Sequence, residues 1–219
     1  PHVVTQTPIW CKQYQLLTRL AVELGVLVAD TADQIGGGGP GDSTYLLQAL
    51  IERGIDNVCL GPIWDALSVH YCFSAGVGAR FGLRVGGKAC ALSGDPLDLD
   101  VKVRHLERGA VQDWIDDETI PVGDLAVVEA RGIEIVLTRE RAPFYHPSLF
   151  TRHGIDIDSK RAICVKGLYR FYDIFAPICS ERLLVATPGV CNPDWRALEY
   201  RRLPRPVWPL DPVAGVGLT

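Results

Sequence analysis

The 219-residue sequence contains no methionine, no Cys-x-x-Cys pair, no His-Glu-x-x-His or His-x-His spacing, and no Gly-Lys followed by Ser or Thr. Each absence excludes something. With no methionine even at its first position, and opening on Pro1-His2-Val3, the chain reads as a fragment of a longer polypeptide. A formal net charge of -4 offers no electrostatic footprint for a nucleic acid. No stretch approaches the ~20 apolar residues that a membrane-spanning helix needs, and the first ten residues lack the basic and apolar regions of a signal peptide. The five histidines (His2, His70, His105, His146 and His153) are far apart, so a three-ligand zinc site built from this chain alone is not expected. His70 reads as a core histidine in an apolar helix, and His105 as the polar end of a strand. The seven cysteines are odd in number and scattered, mostly in apolar stretches such as those around Cys59 and Cys164. They read as buried thiols of a reducing, cytoplasmic setting rather than as disulfides.

What is present is a strand–loop–helix rhythm. Leu16, Leu17, Leu20 and Leu24 stripe a helix over 13–24, stopped by Gly25. An apolar run over 26–29 has the character of a buried strand, a loop follows to Asp42, and a helix runs to Arg53 with Leu46, Leu47, Leu50 and Ile51 inward. A second buried strand over 57–60, a loop over 61–65 and a helix over 66–75 repeat the unit, which implies parallel strands. The middle differs. Residues 80–85 and 97–104 alternate apolar and polar, and 125–129 with 133–138 flank a turn at Arg131-Gly132. Period-two strands with one wet face predict an antiparallel sheet. A strand over 162–165, a helix over 168–178 and a strand over 183–186 return to α/β, and a Pro- and Arg-rich tail follows Cys191. The acidic stretch 113–119 reads as a solvated connection. The expected fold class is therefore α/β: a mixed sheet with parallel βαβ units at both ends of the chain and an antiparallel β insertion at about 80–140.

In an open α/β sheet, ligands bind beyond the carboxyl ends of the parallel strands. That rule collects the loops 30–42, 61–65, 166–170 and 187–192, and with them Asp30, Asp33, Gly36, Gly37, Gly38, Gly39, Asp42, Trp64, Asp65, Lys166, Arg170 and Asn192 as candidate substrate-binding residues. Four consecutive glycines fill no core. Their use would be close backbone approach, with free N–H groups aimed at an anion; the plainer alternative is a flexible surface loop. Asp30 and Asp33 could orient a substrate amine or a metal-bound histidine, or simply form Asx turns. Asp42 or Ser43 reads equally well as the N-cap of the next helix.

The residues that carry these features resemble a known family. Asp30-Thr31-Ala32-Asp33, the run from Gly36 to Thr44, Leu60-Gly61-Pro62-Ile63-Trp64-Asp65, the stretches 75–79 and 84–88, Ser93-Gly94-Asp95-Pro96-Leu97, Pro188-Gly189-Val190-Cys191-Asn192-Pro193-Asp194 and the stretch 200–206 are similar, in order, to the C-terminal domain of microcystinase C-like metallopeptidases. The resemblance runs over about 26–211, leaving 1–25 as a linker or the end of a preceding domain and 212–219 as a tail. Where the family usually has Asp-Asn-Pro before the glycines, this chain has Asp33-Gln34-Ile35. Where the family commonly has a histidine, Arg170 stands, which suggests an anion-binding role.

The resemblance implies a two-domain hydrolase whose N-terminal domain carries the zinc ligands, this chain closing over them with substrate contacts. No catalytic residue and no metal ligand is then expected in this chain, zinc being bound elsewhere. The implied partners are a peptide or small-molecule substrate and the chain's own N-terminal catalytic domain, with homo-oligomerisation left open. The competing reading is a non-enzymatic module that binds an anion or carboxylate through the glycine loop with Lys166 and Arg170. A third reading, a complete enzyme using Cys191 or Ser43 as nucleophile, ranks last because no histidine lies at a strand end beside either.

Overall fold

A computed structural model describes residues 25–114, 118–167 and 172–212. The expected helix over 13–24, the centre of the acidic connection and Arg170 lie outside the described residues. The core is one eight-stranded sheet. In chain order its strands are β1 (Val26–Asp30), β2 (Val58–Trp64), β3 (Arg80–Val85), β4 (Leu97–Asp113), β5 (Thr119–Ala130), β6 (Ile133–Thr138), β7 (Ala162–Lys166) and β8 (Glu181–Val185). Across the sheet the order is β3-β4-β5-β6-β2-β7-β1-β8. The five strands from β6 to β8 run parallel, and β3 to β6 form an antiparallel meander. The mixed α/β sheet expected from the sequence is the one found.

Two apolar clusters cover the two faces. On one, Leu46, Leu47 and Leu50 of α1 (Tyr45–Glu52) and Val69 and Cys72 of α2 (Ala66–Ala75) pack with Val58, Leu60, Val128, Ile135 and Cys164. On the other, Phe144, Leu149, Phe150 and Ile155, from and around the short α3 (Ser148–Thr151), join Phe175 of α4 (Tyr172–Phe175) over Leu27, Cys59, Val127, Val136 and Ile163. Burial on both faces explains why β1 and β7 read as unbroken apolar runs. It also leaves Asp30 and Lys166, at their carboxyl ends, as charged groups inside the protein, 1% and 6% exposed.

The structure departs from the sequence expectation at instructive points. Residues 61–64, expected to be loop, are the second half of β2. The ladder to β6 shifts register between Leu60 and Ile63, which is where Pro62 has no N–H to offer. At Gly61 a Cβ would lie 2.7 Å from Val136 Cβ. The hairpin at Arg131-Gly132 forms as expected, both residues taking positive φ (53° and 74°) as a two-residue primed turn requires. Neither Asp42 nor Ser43 caps α1; Thr44 occupies that position without a side-chain cap bond. The helix expected over 168–178 is described only as α4.

Strand β4 runs nine residues beyond the alternating stretch that marks it in sequence. Val103 pairs with Val128 and His105 with Val127, so Arg104 is an extra residue in the ladder. This bulge resets the alternation. Val103 and Leu106 now face the first cluster, while His105 and Glu107 lie opposite Val127 and Leu125 on the face of the second. His105 therefore does not end the strand, which continues to Asp113, and it lies on the face opposite Val103.

Candidate functional site

Parallel strands β1, β2, β7 and β8 end at Asp30, Trp64, Lys166 and Val185, and their loops meet at one edge. Backbone bonds join them: Trp64 N–H donates to Gly41 O at 2.9 Å, Cys191 N–H to Ala32 O at 2.8 Å, and Gly167 N–H to Asp30 O at 3.1 Å. Of the twelve sequence-predicted residues, eleven are described, and all eleven lie on or beside these loops.

The carboxylates at this edge are buried and saturated by the chain's own donors. Asp33, 1% exposed, accepts from Gly41 N–H at 2.8 Å, Ser43 N–H at 2.7 Å and the Lys166 ammonium at 2.5 Å. Lys166 also donates to Ser43 O at 2.7 Å. Asp42 accepts from Lys88 N–H and Ala89 N–H, both at 2.7 Å, and from the Ser93 hydroxyl at 2.5 Å. Asp65 accepts from Ser68 N–H at 3.1 Å as the cap of α2, from Gly86 N–H at 2.9 Å and from Lys88 Nζ at 2.5 Å. Asp30 accepts from Thr187 Oγ1 at 2.9 Å and Ala32 N–H at 3.0 Å. Burial holds its carboxyl above the ordinary aspartate value, against the opposing pull of Lys166 and the Thr187 bond. These groups tie 30–43 to 65–68, 86–93, 166 and 187.

The glycine run is built the same way. Gly37 and Gly39 donate their N–H groups to Gln34 O, and Gly38 donates to Ile35 O, closing a 3-10 turn over Ile35–Gly37 that ends with Gly38 at φ 99°. At Gly39 a Cβ would lie 2.9 Å from the backbone of both Asp33 and Gln34, so only glycine lets the loop fold back so tightly. The anion that the loop's remaining N–H groups surround is internal: it is Asp33.

Two residues that sequence reasoning did not single out as binding residues complete the lock. Arg141 donates through Nη2 and Nε to Gly39 O at 2.8 and 3.2 Å. The Cys191 thiol donates to Gly37 O at 3.3 Å, and burial pushes that thiol above its ordinary value, which removes the signature of an activated nucleophile. No local motif marks Arg141, whose partner lies 102 residues away. What reaches solvent is a rim: exposed Gly36, Gly37, Gly38 and Arg141, with half-buried Trp64 and Asn192. Trp64 Nε1–H donates to Arg139 O at 3.2 Å, and Asn192 Oδ1 accepts from Asp194 N–H at 2.9 Å.

Such an edge does not fit a metal ion. Its carboxylates face N–H, O–H and ammonium donors, and no histidine among the described residues stands with them. Among the described residues, one group of three ligating side chains brings its donor atoms within 4.8 Å of one another, and it lies on the antiparallel half: His105, Glu107 and His153.

The profile of the family described as MlrC C-terminus matches residues 28–202. The chain belongs to that family. This MlrC C-terminus domain is 32% identical over 197 residues to microcystinase C of Sphingomonas sp., the match covering 90% of this chain and 38% of that protein. It is also similar to the crystal structure of a Mesorhizobium sp. BNC1 protein described as a candidate metallopeptidase. There the TM-score is 0.78 at 25% identity, covering 92% of this chain and 41% of the other. The MlrC C-terminus domain thus spans about two-fifths of each relative's length. No helix among the described residues is long and apolar enough to cross a membrane.

Proposed function

We propose that this chain is the C-terminal, substrate-contacting domain of a zinc-dependent peptidase or amidohydrolase resembling microcystinase C, acting on small or linearised peptides in the cytoplasm. The domain extends over 26–211, and the catalytic zinc is held by an N-terminal domain. Bound there, zinc would polarise the scissile carbonyl and make its water nucleophilic at neutral pH. This chain's part is positional. The observation that carries the reading is the rim at the carboxyl edge, whose backing carboxylates are all hydrogen-bonded from within. A rigid floor holds Trp64, the glycine turn and Arg141 in place, so a peptide docking there loses little to loop ordering. The free thiols of Cys59, Cys72, Cys90, Cys164, Cys179 and Cys191 support a reducing compartment. The alternative, an anion-binding module, draws little support, because the glycine-loop N–H groups it needs are spent on Gln34, Ile35 and Asp33.

The test is kinetic. In the protein with its N-terminal domain present, Trp64→Ala raises KM for a short linear peptide about tenfold with kcat nearly unchanged, the pattern of lost uniform binding. The 219-residue chain alone, supplied with zinc, hydrolyses nothing. Hydrolysis by the chain alone at the rate of the complete protein would overturn the reading, and so would an unchanged KM in Trp64→Ala.

A further inference from the structure

We infer that His105, Glu107 and His153 form a binding site for a divalent transition-metal ion of the zinc class, distinct from the carboxyl-edge rim. His105 and Glu107 stand two apart on β4 and so share a face, the one on which the Arg104 bulge places them. His153 reaches them from the turn after α3. Glu107 Oε2 lies 3.3 Å from His105 Nε2 and 3.0 Å from His153 Nδ1, and the two rings lie 5.5 Å apart, tilted by 36°. An ion held by nitrogen and oxygen at about 2.0–2.2 Å in a tetrahedral arrangement sets its donors about 3.3–3.5 Å apart; the two separations from Glu107 lie within tenths of an ångström of that, and all three donors lie within 4.8 Å of one another.

The burial of His153 fixes one ligand of the site in place. His153 is 2% exposed, and its Nε2 has no hydrogen-bond partner among the described residues. A buried ring with one orphaned nitrogen is a cost. Nδ1 is the nitrogen that faces the cluster, so the ion would take Nδ1 in place of the Glu107 contact, with the ring proton on Nε2. The side chains of His105 and Glu107 are 36% and 41% exposed, so the ion would have protein on one side and water on the other, with at least one coordination position open. Two imidazoles and one carboxylate select zinc, cobalt, nickel or copper over magnesium or calcium. The neighbouring Arg152 guanidinium is engaged by Asp113 at 2.5 Å.

The experiment is calorimetric titration of ZnCl2 into the metal-stripped 219-residue chain, with MgCl2 and CaCl2 as controls. The expected result is one equivalent of zinc bound at micromolar Kd and no heat from the controls. His105→Ala and Glu107→Gln, both at half-exposed positions, should each weaken zinc at least tenfold while their metal-free thermal midpoints stay close to that of the parent. Cobalt substitution adds a spectroscopic check, a visible absorption band that disappears in both variants. No zinc heat, or full affinity in both variants, overturns the site. Neither readout involves peptidase activity, so failure here leaves the proposed role of the rim untouched.

Discussion

The carboxyl edge and the His105–Glu107–His153 cluster use carboxylates in opposite ways. At the carboxyl edge of the parallel strands, Asp33, Asp42 and Asp65 each accept three or more bonds from the chain's own N–H, O–H and ammonium groups. On the antiparallel half, Glu107 is met among the described residues by two imidazoles, and one of those rings leaves a buried nitrogen without a partner among them. Donor supply decides the outcome. Where backbone N–H groups and lysines converge, a carboxylate becomes internal mortar and is lost to ligand chemistry. Where only ring nitrogens converge, the same carboxylate remains open to a cation, since an imidazole can offer a lone pair and an ammonium cannot.

The sharpest way to break this contrast is to neutralise one carboxylate in each half. Asp33→Asn strands the Lys166 ammonium inside the protein, and removing one partner of a buried pair costs about 3–5 kcal/mol. Glu107→Gln, at a half-exposed position, should cost less than about 1 kcal/mol. Urea unfolding of the two variants compares them directly, and equal losses would erase the distinction. A smaller effect separates lock from rim within the glycine turn. Gly39→Ala drives a Cβ into the Asp33 and Gln34 backbone and should cost about 1–3 kcal/mol. Gly36→Ala meets only Gln34 Nε2 at 3.5 Å and should change stability by less than about 0.5 kcal/mol. Thermal unfolding of this pair tests whether the turn is rigid where it folds back and permissive where it faces water.

The smallest effect is a pH dependence. Asp30 has its folded-state pKa raised by burial, so the folded chain holds this proton more tightly than the unfolded chain does. Its contribution to stability is full below the ordinary aspartate value and is lost as pH rises through the raised one. Asp30→Asn does not titrate. Its stability relative to the parent should therefore improve on going from about pH 3.5 to about pH 7. A difference that is flat with pH would mean that Asp30 carries no desolvation penalty.

Much of the fold was legible because its signals are local. Alternation along 97–104, the Arg131-Gly132 turn and the apolar runs of β1 and β7 each lie within a few residues, and together they imply the mixed sheet. The carboxyl-edge rule then located Asp30, Asp33, Asp65 and Lys166 at one edge. Their contacts were not legible, because whether Asp33 meets a substrate or Lys166 depends on a residue 133 positions away. The extra length of β2 was hidden by Gly61-Pro62, a pair that reads as loop until Pro62 falls on a register shift. The histidine cluster was hidden twice. Glu107 and His153 are 46 residues apart, and the bulge turns His105 to a face that strict alternation denies it.

That extra residue at Arg104 has an evolutionary side. Side chains in a strand alternate with period two, so one inserted codon exchanges the faces of everything downstream of it unless a bulge absorbs the extra residue. Loss of Arg104 would close the bulge and leave Val103 and His105 as neighbours in a regular ladder, with His105, Leu106 and Glu107 on the faces they hold now; it is Arg104 without its bulge that would present His105 and Glu107 to the apolar cluster under α1 and α2. The bulge, rather than the number of residues between Val103 and Glu107, is thus what keeps the cluster on its face. Two related chains could differ here by one codon and still share the cluster, provided that the longer one bulges.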